Sequence, residues 1–215
     1  SGIRGTIGGV QGEGLSPIDV VKFTSAFATF LKKNSSKEKL QLVVGRDARV
    51  SGQMVDSLVV GTLMGMGIDV IETGLSTTPT VEVAVVDKKA DGGIIITASH
   101  NPMQWNALKL LNAKGEFINA AEGNEVLEIA ETMDVNFAQV EKLGTYITDF
   151  NTIDTHIQKV INLPLVDVES IKKAGFKVAV DAVNSTATHF ILRRYKELDV
   201  VLCDGDYDDR GSISL

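Results

Sequence analysis

Residues 92–109 read GGIIITASHNPMQWNALK. The stretch opens as a short, β-branched, wholly apolar strand, the pattern of a strand buried on both faces. It then sets Ser99, His100 and Asn101 side by side and stops at Pro102. In open α/β sheets ligands bind outside the carboxyl ends of the strands, so polar residues delivered there are candidates for chemistry. Two further strand ends carry the same signal. GRDARVSG follows one and supplies Arg46, Asp47, Arg49 and Ser51; TGLSTTPT follows another.

The pattern repeats outward from this strand. LSPIDVVKFTSAFATFLKK predicts a helix that Ser16 can cap, with Pro17 at its first position and Asp19 complementing its dipole. Val20, Val21, Phe23, Phe27, Phe30 and Leu31 keep helical spacing. SGQMVDSLVVGTLMGMG predicts a helix stopped by Gly67, TTPTVEVAVVDKKA one entered through Thr78 and Pro79, and NAAEGNEVLEIAETM a fourth. KLQLVVGRD and IDVIETG read as strands, and NALKLLNAKGEFI as a strand and turn. Apolar strands separated by helices predict an α/β fold, a three-layer α/β/α sandwich with a mostly parallel mixed sheet.

A second unit starts near Asn151. TIDTHIQKVINL and DVESIKKAG read as helices, FKVAVDAVN as a strand, STATHFILRRYKEL as a helix and DVVLCDGD as a strand. One βαβ unit is too small to build a doubly covered sheet. The expected organisation is therefore a complete domain over 1–150 and an incomplete second domain of the same type over 151–215. The chain opens on Ser1 and closes on GSISL after an acidic loop, so both ends read as cuts through a longer protein.

Composition narrows the function classes. With 215 residues, 44% hydrophobic and 23% charged, the chain is of ordinary globular make-up. Its net charge of −7 argues against a nucleic-acid backbone as partner. No apolar run reaches the roughly 18 residues of a membrane span, and no signal peptide is visible. Cys203 is the only cysteine, which points to a reducing, cytoplasmic setting. Taken singly, the polar residues have plain readings: Ser99 as a turn or cap residue, GRDAR as surface ion pairs, Lys109 as a solvated lysine and Trp105 as packing.

In combination they do not. SGIRG, GRDARVSG, TTPT and above all TASHNPMQWNALK resemble the α-D-phosphohexomutase family, which includes phosphoglucomutase, phosphomannomutase and phosphoglucosamine mutase. The resemblance keeps the same order over residues 1 to about 150 and continues more loosely through FKVAVDAVNST. It implies an isomerase of four α/β domains in which a phosphoserine passes its phosphoryl group to a hexose monophosphate. A hexose bisphosphate forms, reorients and returns its other phosphate, with Mg²⁺ assisting. The implied partners are the hexose phosphate and the bisphosphate.

The residue types suit that chemistry. Phosphoryl transfer is catalysed mainly by positioning and by neutralising charge on the equatorial oxygens, and phosphoserine carries about −1.5 to −2 charges. The resemblance places Arg4, His100 and Lys109 around Ser99. Arg4 offers a guanidinium fork, and Lys109 a point charge able to move a proton. Asn101 is expected to brace the loop and, with Arg46 and Arg210, to contact phosphate or substrate. A Ser–His hydrolase competes poorly: adjacent residues on an extended chain point apart, and no G-x-S-x-G elbow is present.

The implied metal ligands are Ser99 with Asp204, Asp206 and Asp208, hard oxygen donors at alternate positions. The family pattern there is D-G-D-x-D-R. DGDYDDR instead puts Asp209 where the arginine belongs and Arg210 one place late, and the loop comes early in the chain. The segment is either the metal loop after a deletion or an acidic turn that mimics one. The sugar-discriminating loop and phosphate clamp of the family's third and fourth domains are not found in these residues, so this stretch alone is expected to be inactive. The alternatives to an enzyme segment are a non-catalytic phosphosugar-binding module and a structural domain on the same fold.

Overall fold

The structure, a computed structural model, describes residues 2–176 and, beyond them, 178–180, 182, 185, 186, 200–202, 206, 207, 213 and 214. The strands of the main sheet are β1 (Ile3–Thr6), β2 (Gln41–Arg46), β3 (Asp69–Leu75), β4 (Gly92–Ile96), β5 (Trp105–Asn112) and β6 (Tyr146–Thr148). The helices are α1 (Pro17–Lys33), α2 (Gly52–Gly65), α3 (Thr78–Asp87), α4 (Ala120–Thr132), α5 (Thr152–Ile161) and α6 (Val168–Ala174).

The sheet order is β1-β5-β4-β2-β3-β6. The pairs β4/β2, β2/β3 and β3/β6 are parallel, whereas β5 runs antiparallel to both neighbours. The sheet is thus mixed and mostly parallel, as the apolar strands require. Side chains alternate across a strand, so Ile94 and Ile96 enter one core and Ile95 the other. The first core sets Leu42, Val44 and Leu108 against Phe27 of α1, Val59 of α2 and Ile129 of α4. The second sets Val43, Ile71 and Leu111 against Val81 and Val85 of α3. That arrangement is the three-layer sandwich, and it explains why the strands read as continuous apolar runs.

Local signals placed the helices. Ser16 caps α1 in a capping box with Asp19, whose carboxylate also accepts from the backbone N–H of Gly12 and Ser16. The cap of α3 is Thr77, one residue before the expected Thr78. Gly67 takes φ +75° just past the end of α2, where its left-handed conformation stops the helix. Two strands went unread in the sequence, β1 and β6. Both are short edge strands, β6 exposed throughout and β1 buried only at Gly5, and their pairing partners lie far along the chain.

Beyond residue 150 the two expected helices form as α5 and α6. Helix α5 lies against α3: His156 Nδ1 is 3.0 Å from Thr80 Oγ1, and Lys159 pairs with Asp87 at 2.8 Å. The strands β7 (Val178–Val180) and β8 (Val200–Leu202) pair in parallel, and β9 (Asp206–Tyr207) pairs antiparallel with β10 (Ile213–Ser214). The helix expected over STATHFILRRYKEL lies outside the described residues from residue 187 on.

Candidate active site on the loop after β4

The sheet order contains a switch point. From β2 the chain moves through α2 to β3 on one side, then through α3 back across to β4 on the other. A crevice opens where such connections part, outside the carboxyl ends of the two central strands. The loops there are the ones that follow β2 and β4, carrying GRDARVSG and TASHNP.

Ser99 sits at the tip of the second loop, exposed, with φ +57°. A left-handed conformation is unfavourable for a residue with a Cβ, so neighbouring contacts must hold it. The Ser99 N–H donates to Thr97 Oγ1 at 3.1 Å, and the Asn101 N–H donates to the Ala98 carbonyl at 3.1 Å, closing the turn. Asn101 therefore braces the loop through its backbone.

Arg49 makes the larger contribution. Its Nη2 donates to the carbonyls of Ser99 and Asn101, both at 2.7 Å, and its Nη1 to those of Pro102 and Trp105, at 2.9 and 3.1 Å. The residue is 7% exposed, and its Nε lies 3.3 Å from Asp47 Oδ2 in an ion pair that lacks hydrogen-bond alignment. Asp47 also accepts from the Arg49 N–H, while its own N–H donates to Ile96 at the end of β4. A second tie joins the loops: Asn106, fully buried, donates through Nδ2 to Ser51 Oγ at 2.9 Å.

His100 is exposed, with Nδ1 3.5 Å from Ser99 Oγ. The two side chains do not point apart as an extended chain would make them, because the left-handed turn at Ser99 folds them together. At 3.5 Å this is a loose contact, outside the usual reach of a nucleophile–base pair. Lys109 lies opposite Ile95, and Arg4 opposite Ala107 in the next strand, so both leave the sheet on the face of Ile95 and Leu111, at the Ser99 end of β4. Lys109 is half-buried with Nζ 5.8 Å from the Phe117 ring centroid, and Arg4 is exposed. Neither makes an ion pair with a carboxylate among the described residues.

Arg46 goes elsewhere. It donates to the Asp47 carbonyl at 3.2 Å, lines a cavity with Glu72, Gly74, Phe150 and Ile153, and acts electrostatically on Asp56. Of the expected metal ligands apart from Ser99, only Asp206 is described, in β9; Asp204 and Asp208 lie outside the described residues, as does Arg210. Among the described residues no group of three His, Cys, Asp or Glu side chains could hold a metal ion. The sequence set Arg46 among the phosphate or substrate contacts and gave Arg49 no role of its own. The two are identical in type and three positions apart, and nothing local separates them.

Comparison with known proteins settles the family. The sequence model described as phosphoglucomutase/phosphomannomutase, alpha/beta/alpha domain I matches residues 1–136. The chain belongs to that family. A phosphoglucosamine/phosphogalactosamine mutase of Sulfurisphaera tokodaii is 35% identical over 178 residues, 82% of this chain and 38% of the relative. A phosphoglucomutase/phosphomannomutase of Thermococcus kodakarensis is 36% identical over 186 residues, 86% and 40% respectively. The phosphoglucomutase/phosphomannomutase family chain thus spans about two fifths of the length of the curated relatives it matches. A solved family member from Burkholderia thailandensis superposes with a TM-score of 0.74 at 22% identity, covering 98% of this chain and 44% of that one, a likeness of fold.

Proposed function

We propose that this chain is the phosphoserine-bearing portion of a hexose phosphomutase, interconverting hexose 1-phosphate and 6-phosphate through Ser99. The observation that carries the reading is an exposed serine hydroxyl held at the switch point of the sheet on a loop pinned from beneath by a buried guanidinium. Phosphoryl transfer needs little else from the protein than position and positive charge. Three cationic or polar side chains, Arg4, His100 and Lys109, come from the same end of the sheet.

In the first half-reaction the bond between Ser99 Oγ and phosphorus breaks as a sugar hydroxyl oxygen bonds to phosphorus. The sugar hydroxyl gives up its proton and Ser99 Oγ takes one up as its bond to phosphorus breaks, so the step conserves protons, and Lys109 is assigned to relay that proton. The bisphosphate then reorients and returns its other phosphoryl group to Ser99 Oγ. Arg4 and His100 offset the charge of the phosphate. The reading includes a Mg²⁺ ion held by the Ser99 phosphate with Asp204, Asp206 and Asp208, supported by their alternate spacing in the sequence. Arg210 contacting phosphate or substrate belongs to the same reading. The mutase names of the relatives support a sugar phosphate as substrate, with glucose, mannose and glucosamine phosphates as the class to assay.

The test is a coupled assay of the full-length protein on the three hexose 1-phosphates, with Mg²⁺ and a trace of bisphosphate, beside Ser99→Ala. Turnover of at least one sugar is expected, abolished in the variant, together with about 80 Da of added mass on the unaltered chain. Full turnover by Ser99→Ala would overturn the reading.

A further inference from the structure

We infer that Arg49 is the positioning residue of the phosphoryl-carrying loop, fixing the place and direction of Ser99 Oγ without touching substrate; this rests on Ser99 being the phosphoryl carrier. A guanidinium has four N–H bonds on its two terminal nitrogens, and here all four go to carbonyls of one loop, those of Ser99, Asn101, Pro102 and Trp105. These carbonyls turn inward because the chain reverses tightly at the tip. The Pro102 carbonyl also accepts the Trp105 N–H at 3.0 Å, so Arg49 adds to that turn and ties it to the carbonyls of Ser99, Asn101 and Trp105.

The geometry is selective for arginine. The fork is planar and its donors diverge in fixed directions. A lysine ammonium has three N–H bonds from a single atom and cannot reach four carbonyls spread over the loop from Ser99 to Trp105. Two of the bonds, at 2.7 Å, go to the carbonyl of the left-handed Ser99 itself and to that of Asn101 just after it, and the guanidinium thereby helps hold a backbone conformation that a residue with a Cβ otherwise avoids. Asp47 locks the fork in turn: one oxygen is 3.3 Å from Nε and the other accepts the Arg49 N–H. The loop after β2 is thus a splint for the loop after β4. Loss of the splint displaces the reacting oxygen and leaves sugar binding, which other residues perform, largely in place.

The test compares Arg49→Lys, Asp47→Asn and Ser99→Ala in the full-length protein, with melting temperature as the control for folding. For Arg49→Lys, at a temperature well below its melting point, kcat is expected to fall by about 10²-fold with KM changed by less than about threefold, since misplacement of a reacting group by about 1 Å has effects of that size. Amide exchange over residues 97–106 should quicken while β2 and β4 stay protected. For Asp47→Asn, which keeps the fork and loosens its lock, kcat is expected to fall by about three- to tenfold at unchanged KM. Should Arg49→Lys not fold, Asp47→Asn decides. Unchanged kcat in whichever variant folds, or quickened exchange spread through β2 and β4 rather than confined to residues 97–106, overturns the inference. If Ser99→Ala keeps full turnover, it is the phosphoserine reading that fails; if Ser99→Ala is dead and Arg49→Lys retains its kcat, Arg49 alone has been misassigned.

Discussion

Among the described residues Asp56, on α2, is the one whose charge state the fold disturbs most. It is buried, one of its oxygens has no hydrogen-bond partner, and Glu72 of β3 lies beside it. Burial, then the Glu72 charge, push its carboxyl from the ordinary 3.8 up to about 7, against the pull of Arg46. Glu72 also accepts a hydrogen bond from the Tyr146 hydroxyl of β6, which with burial drives that phenol up to about 12. Between pH 4 and 7 the folded chain therefore keeps a proton that the unfolded chain has released. The stability from Asp56 is full below about pH 4 and is lost as pH rises through about 7. An Asp56→Asn variant, neutral at every pH, should gain on the unaltered protein by on the order of 1–3 kcal/mol at pH 8 and show no gain near pH 4. Burial lowers the His156 pKa, so its contribution runs in the opposite sense, is the same in both proteins and cancels in the difference. Paired urea melts at the two pH values check this; a gain independent of pH would contradict it.

At the scale of elements, α3 sits close to the sheet because two glycines let it. A Cβ built on Gly45 of β2 would stand 2.5 Å from Thr73 Oγ1 and 2.6 Å from Val81 Cγ2, and one on Gly93 of β4 would stand 2.8 Å from Val85 Cγ2. Gly45→Ala should therefore force α3 outward or strain Thr73 and Ser76, which hydrogen-bond beneath it. A destabilisation of about 1–3 kcal/mol is expected by chemical denaturation, against the small gain that Gly→Ala gives where space exists. Most of this level was legible beforehand. Capping residues, the stop at Gly67 and the apolar period are signals within a few residues of one another, and they located helices α1 to α4 and the four inner strands of the main sheet. Edge strands β1 and β6 were not legible, since each is only a few residues long and gains its identity from a partner elsewhere in the chain.

Across the whole molecule, α5 shows how the described part holds together beyond residue 150. Ile153 is 8% exposed and Thr152 3%, and the helix reaches α3 through His156 and Lys159. The half-exposed ion pair contributes little by itself; the buried isoleucine contributes more. Ile153→Ala in the full-length protein should lower stability by about 2 kcal/mol, and Lys159→Ala by less than about 0.5 kcal/mol. Thermal melts followed by amide exchange in α3 check both, and no change in either quantity for Ile153→Ala would show that α5 lies outside the cooperative unit. The sequence by itself determined the layered α/β class, the helices with their caps, and the delivery of Ser99 to the end of a buried strand, because period, capping and motif are properties of neighbouring residues. Only the tertiary structure decided the strand order, the left-handed turn that brings His100 to Ser99, and the choice of Arg49 over Arg46 as the residue beneath the loop. The physical reason is distance along the chain: the Arg49 and Ser99 groups are 50 residues apart, and a contact of that kind exists only once β2 and β4 lie side by side.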